Sequence, residues 1–182
     1  PSPPRQHDRA ATSSTGCYGS NMNQRQMARR CPKARPLSGI WLQGWRLVMK
    51  RVADIEPDPR AVTPAALWEI TRSCERALDA YEGFPHLYIK ERLAVALPNG
   101  RRAKPMAYVM NGPRQRDYGP ASDGYLASIA DGYRDFGFDD LAPLRAAQVD
   151  AISAMRRAER SGGLDDAALS PPWAPGLAFG CE

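Results

Sequence analysis

The chain has 182 residues, 43% hydrophobic and 25% charged, a length and balance that suit a single globular domain with a true core. No apolar run approaches the ~20 residues that cross a bilayer, and residues 1–16 hold no apolar block of the secretory kind. The net charge of +5 is uneven, with 11 Lys/Arg against 4 Asp/Glu over residues 1–60 and 14 against 16 over residues 61–182.

The leader, residues 1–16, is rich in Pro, Ser, Thr and Arg and reads as disordered. Residues 23–31 suit a short helix, with Asn21 or Asn23 as cap and Pro32 as stop. The basic cluster Arg25, Arg29, Arg30, Lys33 and Arg35 reads first as a solvated helix face and the loop after it. An anionic partner such as nucleic acid is the weaker alternative. The aromatic interleaving it would use is missing until Trp41 and Trp45, which fall in a strand pattern. That strand is expected over residues 37–52, with Gly44 as a bulge or turn. Residues 54–59 hold two prolines and read as a loop.

Residues 65–70 form a short apolar strand, after which Thr71 or Ser73 can cap a helix. Its apolar side is Cys74, Ala77, Leu78 and Tyr81, spaced i, i+3, i+4, i+7, and Gly83 suits the left-handed position past its end. Residues 87–97 alternate, with Ile89, Leu93, Val95 and Leu97 on one face. Pro98-Asn99-Gly100 is turn chemistry, and Met106, Tyr108 and Met110 alternate in a return strand, so a β-hairpin is predicted. A polar loop over 111–120 leads to a helix capped by Ser122, with Leu126, Ile129, Ala130 and Tyr133 inward and Gly137 as its break. Asp139 is the expected cap of a longer helix reaching Arg160, with Leu141, Leu144, Ile152 and Met155 inward. The domain is placed at residues 17–160, followed by a Pro/Gly-rich tail over 161–182.

Few groups here can do chemistry. Cys17, Cys31, Cys74 and Cys181 lack metal-ligand spacing, and His7 and His86 have no evident orienting partner. No metal or cofactor is called for. Reduced thiols and a cytoplasmic location are the expectation. Glu82 stands out, since it closes Leu78-Asp79-Ala80-Tyr81-Glu82-Gly83 at a helix C-terminus, where an acid is disfavoured by roughly 0.3–1 kcal/mol. The helix dipole and the neighbouring Tyr81, Phe84 and Tyr88 would raise its pKa, the condition for moving a proton near neutral pH. The same residue also reads as an exposed Glu that tolerates the penalty. Far upstream, Tyr18-Gly19-Ser20-Asn21-Met22 reads as a turn into a helix, with unpaired N–H groups that could hold a carboxylate or an oxyanion, or as a plain capped turn.

Taken in order, Tyr18-Gly19-Ser20-Asn21, Leu78 to Gly83, Tyr88 and Tyr108 resemble the γ-glutamylcyclotransferase-like superfamily over about residues 17–144. Gly39-Ile40-Trp41-Leu42-Gln43-Gly44-Trp45, Ala66-Leu67-Trp68-Glu69-Ile70-Thr71 and Gly132-Tyr133-Arg134-Asp135-Phe136-Gly137 look like its bacterial, AIG2-like branch. The resemblance implies an α+β fold, a small mixed β-barrel with flanking helices and a single cavity. It implies cofactor-independent cyclisation of a small γ-glutamyl amide or dipeptide to 5-oxoproline, with Glu82 as the proton-transfer group. Substrate would be held by Tyr18, Gly19, Ser20, Asn21 and Met22, with Tyr88 and Tyr125 near the cavity; Tyr125 reads slightly better as a packed tyrosine. A non-catalytic binding member of the same fold is the alternative. The family carries an apolar strand before the tyrosine, whereas Ser13-Ser14-Thr15-Gly16-Cys17 is polar, so a weak first strand is expected. Pro64 should lie at an edge or a bulge. Neither the leaving amine nor the oligomeric state follows from the sequence.

Overall fold

The computed structural model describes residues 12–112 and 118–161. Among the described residues, seven strands and four helices follow in the order β1 (Thr12–Cys17), a 3₁₀ turn (Ser20–Met22), α1 (Gln24–Arg30), β2 (Arg35–Met49), β3 (Ala53–Thr71), α2 (Arg72–Glu82), β4 (Tyr88–Arg92), β5 (Val95–Ala96), β6 (Arg102–Ala103), β7 (Met106–Met110), α3 (Asp123–Asp135) and α4 (Ala142–Arg160). Five strands form one sheet in the order β2-β3-β1-β7-β4, and β5-β6 is a separate ribbon. The mixed α+β class is as expected. The barrel is not, because the sheet is open, with β2 and β4 at its two edges.

β1 is the main surprise. The leader expected over residues 1–16 is corrected over residues 12–16, which lie in the central strand of the sheet; residues 1–11 fall outside the described residues. β1 runs antiparallel to β3 from Thr12 opposite Thr71 to Cys17 opposite Ala66, and parallel to β7 at Thr15 and Met106. Its backbone is thus laddered on both sides, and the apolar surface that stabilises it comes from its neighbours. Thr15 is fully buried, and its hydroxyl donates to the Met106 carbonyl at 3.0 Å, so the polar strand leaves no penalty there.

β2 and β3 form a long antiparallel hairpin, with register shifts between Pro36 and Ser38 and between Gln43 and Trp45, the latter at Gly44 with φ 78°. The loop expected over residues 54–59 is strand instead. Pro57 sits opposite Trp45 and Pro64 opposite Trp41. β1 reaches along β3 only from Ala66 to Thr71, so in this sheet the proline-bearing half has β2 as its one neighbour and needs ladder donors on one side alone. The β4–β7 pairing, from Tyr88 opposite Met110 to Arg92 opposite Met106, and the β5–β6 ribbon make the expected hairpin, broken into two segments.

The helix signals held closely. Asn23 caps α1, Thr71 caps α2 and Ser122 caps α3, each side chain accepting a first-turn N–H, and Gly83 ends α2 with φ 65°. On α2, Cys74 and Leu78 are buried while Ala77 and Tyr81 are exposed. α4 starts three residues after the expected Asp139 cap; Asp140 accepts the Ala142 N–H at 2.7 Å instead. α4 buries Leu144, Ala147 and Ala151 and packs on β2; α3 packs on the turn after β1. Beyond Ser161, which ends α4, the tail lies outside the described residues. No helix among the described residues is long and apolar enough to cross a membrane.

Candidate functional site

The site is built where β1 runs out. Tyr18, buried at the end of that strand, donates its hydroxyl to the Tyr108 carbonyl on β7 and lies 3.3 Å from Asp54 Oδ1. Asp54 is itself fully buried. It accepts the Met110 N–H at 3.0 Å and Lys50 Nζ at 2.7 Å, and Lys50 Nζ also meets Glu56 Oε1 at 3.0 Å. The first residue of the turn is therefore anchored by β7 and β3 together, with Lys50 from the β2–β3 connection behind Asp54. A weak strand does not leave it loose.

From Tyr18 the chain passes Gly19, where a Cβ would stand 3.2 Å from the Tyr125 hydroxyl and 3.3 Å from Ala53 Cβ. It then tightens into the 3₁₀ turn. The Met22 N–H donates to the Gly19 carbonyl at 2.9 Å and the Asn23 N–H to the Ser20 carbonyl at 3.1 Å. Met22 thus drops out of the expected donor set: its side chain is fully buried and its N–H is already bonded. Of the expected donors this leaves Gly19, Ser20 and Asn21, and the Ser20 backbone already bonds the Tyr125 hydroxyl. Gly132 of α3 backs this turn so closely that a Cβ there would lie 2.6 Å from Met22 Cβ.

Glu82, the last residue of α2, comes to the turn from the far side of the chain. Asn21 Nδ2 donates to Glu82 Oε1 at 2.7 Å across 61 residues of sequence. Burial pushes the Glu82 carboxyl up to about 7, against the opposing pulls of the Asn21 hydrogen bond and the Arg30 charge. The direction matches the expectation; the cause differs. Tyr81 and Phe84 are exposed and turned to cations: Tyr81 receives a hydrogen bond from Arg30, and the Phe84 ring lies 4.6 Å from Lys90 Nζ.

Tyr88 on β4 and Tyr125 on α3 both feel the Glu82 charge. Burial raises the Tyr88 phenol well above its ordinary range and pushes that of Tyr125 up to about 12, so both are neutral donors. The Tyr125 hydroxyl accepts the Ala53 N–H at 3.1 Å, and the backbone of Ser20 also faces it. Ser20, Asn21, Glu82 and Tyr125 thus meet at the turn, Tyr18 and Tyr88 lie within range of the Glu82 charge, and Met22 packs behind.

Sequence reasoning missed three groups. Arg30, read as part of a solvated basic face, turns inward, donating from Nη1 to Ser20 Oγ at 3.0 Å and to Asn21 Oδ1, and from Nη2 to Gln26 Oε1 at 2.7 Å and Tyr81 OH at 2.6 Å. The rest of that cluster stays out: Arg25, Arg29 and Lys33 are exposed and Arg35 pairs with Glu69. Asp54 was hidden in a run that reads as loop. Asp79, on the residue run that carried the resemblance, accepts the Tyr108 hydroxyl at 2.6 Å and Lys90 Nζ at 2.7 Å, fastening α2 to β7 and β4. The i, i+4 spacing of Gln26 and Arg30 was the one available hint of Arg30's direction. His86 is exposed, as expected.

Comparison with known proteins adds the family. The model of the family described as gamma-glutamyl cyclotransferase, AIG2-like, matches residues 17–127, more than half of the chain. A solved gamma-glutamyl cyclotransferase superposes with a TM-score of 0.64 at 21% identity, covering 74% of this chain and 86% of that one. The human protein loc79017 gives 0.63 at 21% identity, covering 74% and 85%. YkqA from Bacillus subtilis gives 0.58 at 20% identity, covering 69% of this chain and 49% of its own length. At these identities the superpositions show the fold. A comparison with curated protein sequences found no match.

Proposed function

The chain belongs to the gamma-glutamyl cyclotransferase, AIG2-like family, and from that premise we propose that it is an enzyme that closes a small γ-glutamyl amide or dipeptide on itself, releasing 5-oxoproline and an amine or amino acid. The observation that carries this reading is Glu82, a carboxyl raised to about 7 and bonded at 2.7 Å to a turn 61 residues away. A group that titrates near neutral pH can both take and return a proton.

The chemistry follows from the residues. As carboxylate, Glu82 removes a proton from the substrate α-ammonium, and the freed amine attacks the γ-carbonyl carbon. Nucleophile and target share one molecule, so the attack needs orientation and no covalent enzyme intermediate. The carbonyl oxygen gains charge as the C–N bond forms. Backbone N–H groups of the Gly19–Asn21 turn are the donors suited to it. Glu82, now protonated, gives its proton to the leaving nitrogen as the old C–N bond breaks, and the second proton of the ring nitrogen then passes through the regenerated carboxylate to the released amine. Neutral Tyr88 and Tyr125 are suited to donate hydrogen bonds to substrate without adding charge.

The test is a mass-spectrometric search for 5-oxoproline after incubation with a mixed γ-glutamyl library, wild type against Glu82→Gln. The variant keeps an oxygen for Asn21 but cannot carry the proton. Its turnover is expected to fall at least about a hundredfold. Equal turnover would remove Glu82 from the mechanism. No product from wild type, with thermal stabilisation by γ-glutamyl compounds, would make the chain a binding protein.

A further inference from the structure

We infer that Arg30 is a positioning residue for Glu82, fixing which end of the Asn21 amide meets the carboxylate and so holding that carboxylate oriented for proton transfer. The argument starts from valence. A guanidinium has five donors and no acceptor. Arg30 Nη1 bonds Asn21 on its Oδ1, so the amide must turn its NH₂ the other way, and there Nδ2 donates to Glu82 Oε1 at 2.7 Å. Without Arg30, the amide could rotate by half a turn and put its oxygen against the carboxylate, an arrangement that repels the ionised form and hydrogen-bonds only with the protonated one. Amide orientation is ordinarily ambiguous; here a donor-only neighbour decides it.

Arg30 is itself held rigidly. Ser20 Oγ and Asn21 Oδ1 lie on Nη1, Gln26 Oε1 and Tyr81 OH on Nη2, and Cζ stands 3.9 Å from the centre of the Tyr81 ring. Two planar ends engaged at once is a geometry that lysine cannot copy. The guanidinium also ties together the turn, α1 and the last turn of α2, the three pieces that bring Asn21 and Glu82 face to face.

The other groups facing Glu82 do not supply this function. Cys17 from β1, Tyr18 at its exit, Tyr88 from β4, Tyr108 from β7 and Tyr125 from α3 all feel its charge, and burial keeps every one of them neutral. Among the described residues, Arg30 is the one charge that pulls Glu82 back toward ionisation, and Asn21 the one hydrogen bond. Both effects pass through the same guanidinium.

The consequence is a pH signature. Removing Arg30 should raise the Glu82 midpoint by about one pH unit. The ionised fraction at pH 7 then drops from about a half to about a tenth, so kcat/KM at pH 7 falls about fivefold and recovers by about pH 9. A merely structural role would lower activity at every pH alike.

The experiment titrates Glu82 directly by carbon NMR in protein labelled at glutamate carboxyls, the signal being assigned by its loss in Glu82→Gln. Arg30→Met is expected to move the midpoint up, and the exposed neighbour Arg29→Met to leave it in place. Arg30→Lys keeps the charge without the fork, so it should recover part of the midpoint with kcat below wild type. If Arg30→Met fails to fold, Tyr81→Phe loosens the guanidinium from an exposed position and should move the midpoint the same way by less. An unmoved midpoint in the folded Arg30 and Tyr81 variants overturns the inference. The mechanism above supplies the role for which Glu82 is positioned, but the titration needs no substrate. Variants that show the shift, beside a wild type that cyclises nothing, would defeat the cyclisation reading and still support Arg30 as positioning residue.

Discussion

Glu82 shows how a single residue couples function to stability. Its carboxyl sits at about 7 in the fold against an ordinary value of 4.5, chiefly because burial penalises the charge. Between those two values the native state holds a proton that the unfolded chain has released. The stabilisation from that proton is complete below about pH 4.5 and is lost as pH rises toward 7. The ionised form needed to start the reaction is therefore the less stable one. Glu82→Gln never ionises, so its stability should not carry this slope. Relative to wild type, the variant should gain on the order of 2–3 kcal/mol between pH 4.5 and pH 8. Thermal melts of both proteins across that range give the measurement. A difference independent of pH would mean that the carboxyl is not raised in the fold.

At the scale of elements, the decisive contact is α3 against the 3₁₀ turn. Gly132 lets the two backbones approach; a Cβ there would lie 2.6 Å from Met22 Cβ and 2.7 Å from both Asn23 N and Met22 C. Backbone cannot swing aside as a flexible side chain does. Gly132→Ala should cost about 1–3 kcal/mol and displace the turn that carries Asn21, so turnover should fall as well. Gly124, one helical stretch earlier, has open space around it, and Gly124→Ala should stabilise α3 by up to about 1 kcal/mol with turnover unchanged. Denaturant unfolding of the two variants separates the cases; equal stability for both would show that the turn can retreat. Elements such as these were legible wherever the signal was local. The caps at Asn23, Thr71 and Ser122, the left-handed Gly83 and the turn around Gly100 depend on chemistry within a few residues. β1 and the proline half of β3 were not, because their strand character is supplied by partners. Ser13 and Ser14 become strand through Ile70 and Glu69, and Pro57 and Pro64 are tolerated because β2 is their one ladder neighbour in the sheet.

At the scale of the whole molecule the same division governs the site. Glu82 and the Tyr18–Asn21 turn could be singled out from their local chemistry and their order along the chain. Arg30, Asp54 and Asp79 could not, since their partners stand at 20, 21 and 81, at 18 and 110, and at 90 and 108. Asp54 is the widest of these junctions. It is fully buried, on β3, and gathers Tyr18 from the end of β1, the Met110 N–H from β7 and Lys50 from the β2–β3 connection. Lys50 is nearly as deeply buried, and its second partner, Glu56, is partly exposed, with its carboxyl held below the ordinary range by the Tyr118 hydroxyl and Lys50 itself against the opposing effect of burial. A buried ion pair adds little net stability, but breaking one side of it strands the other charge. Asp54→Ala should therefore destabilise the protein by about 3–5 kcal/mol and loosen the far end of the turn, 36 residues away in sequence. Adding Lys50→Met removes a buried ammonium then left with Glu56 as its carboxylate partner, so the double variant should be more stable than Asp54→Ala alone, a clear departure from additivity. Denaturant midpoints for the wild type, both single variants and the double variant close that cycle. Additive losses would mean that Asp54 and Lys50 act independently, and that the turn is anchored by Tyr18 and Tyr108 without the charge pair beneath them.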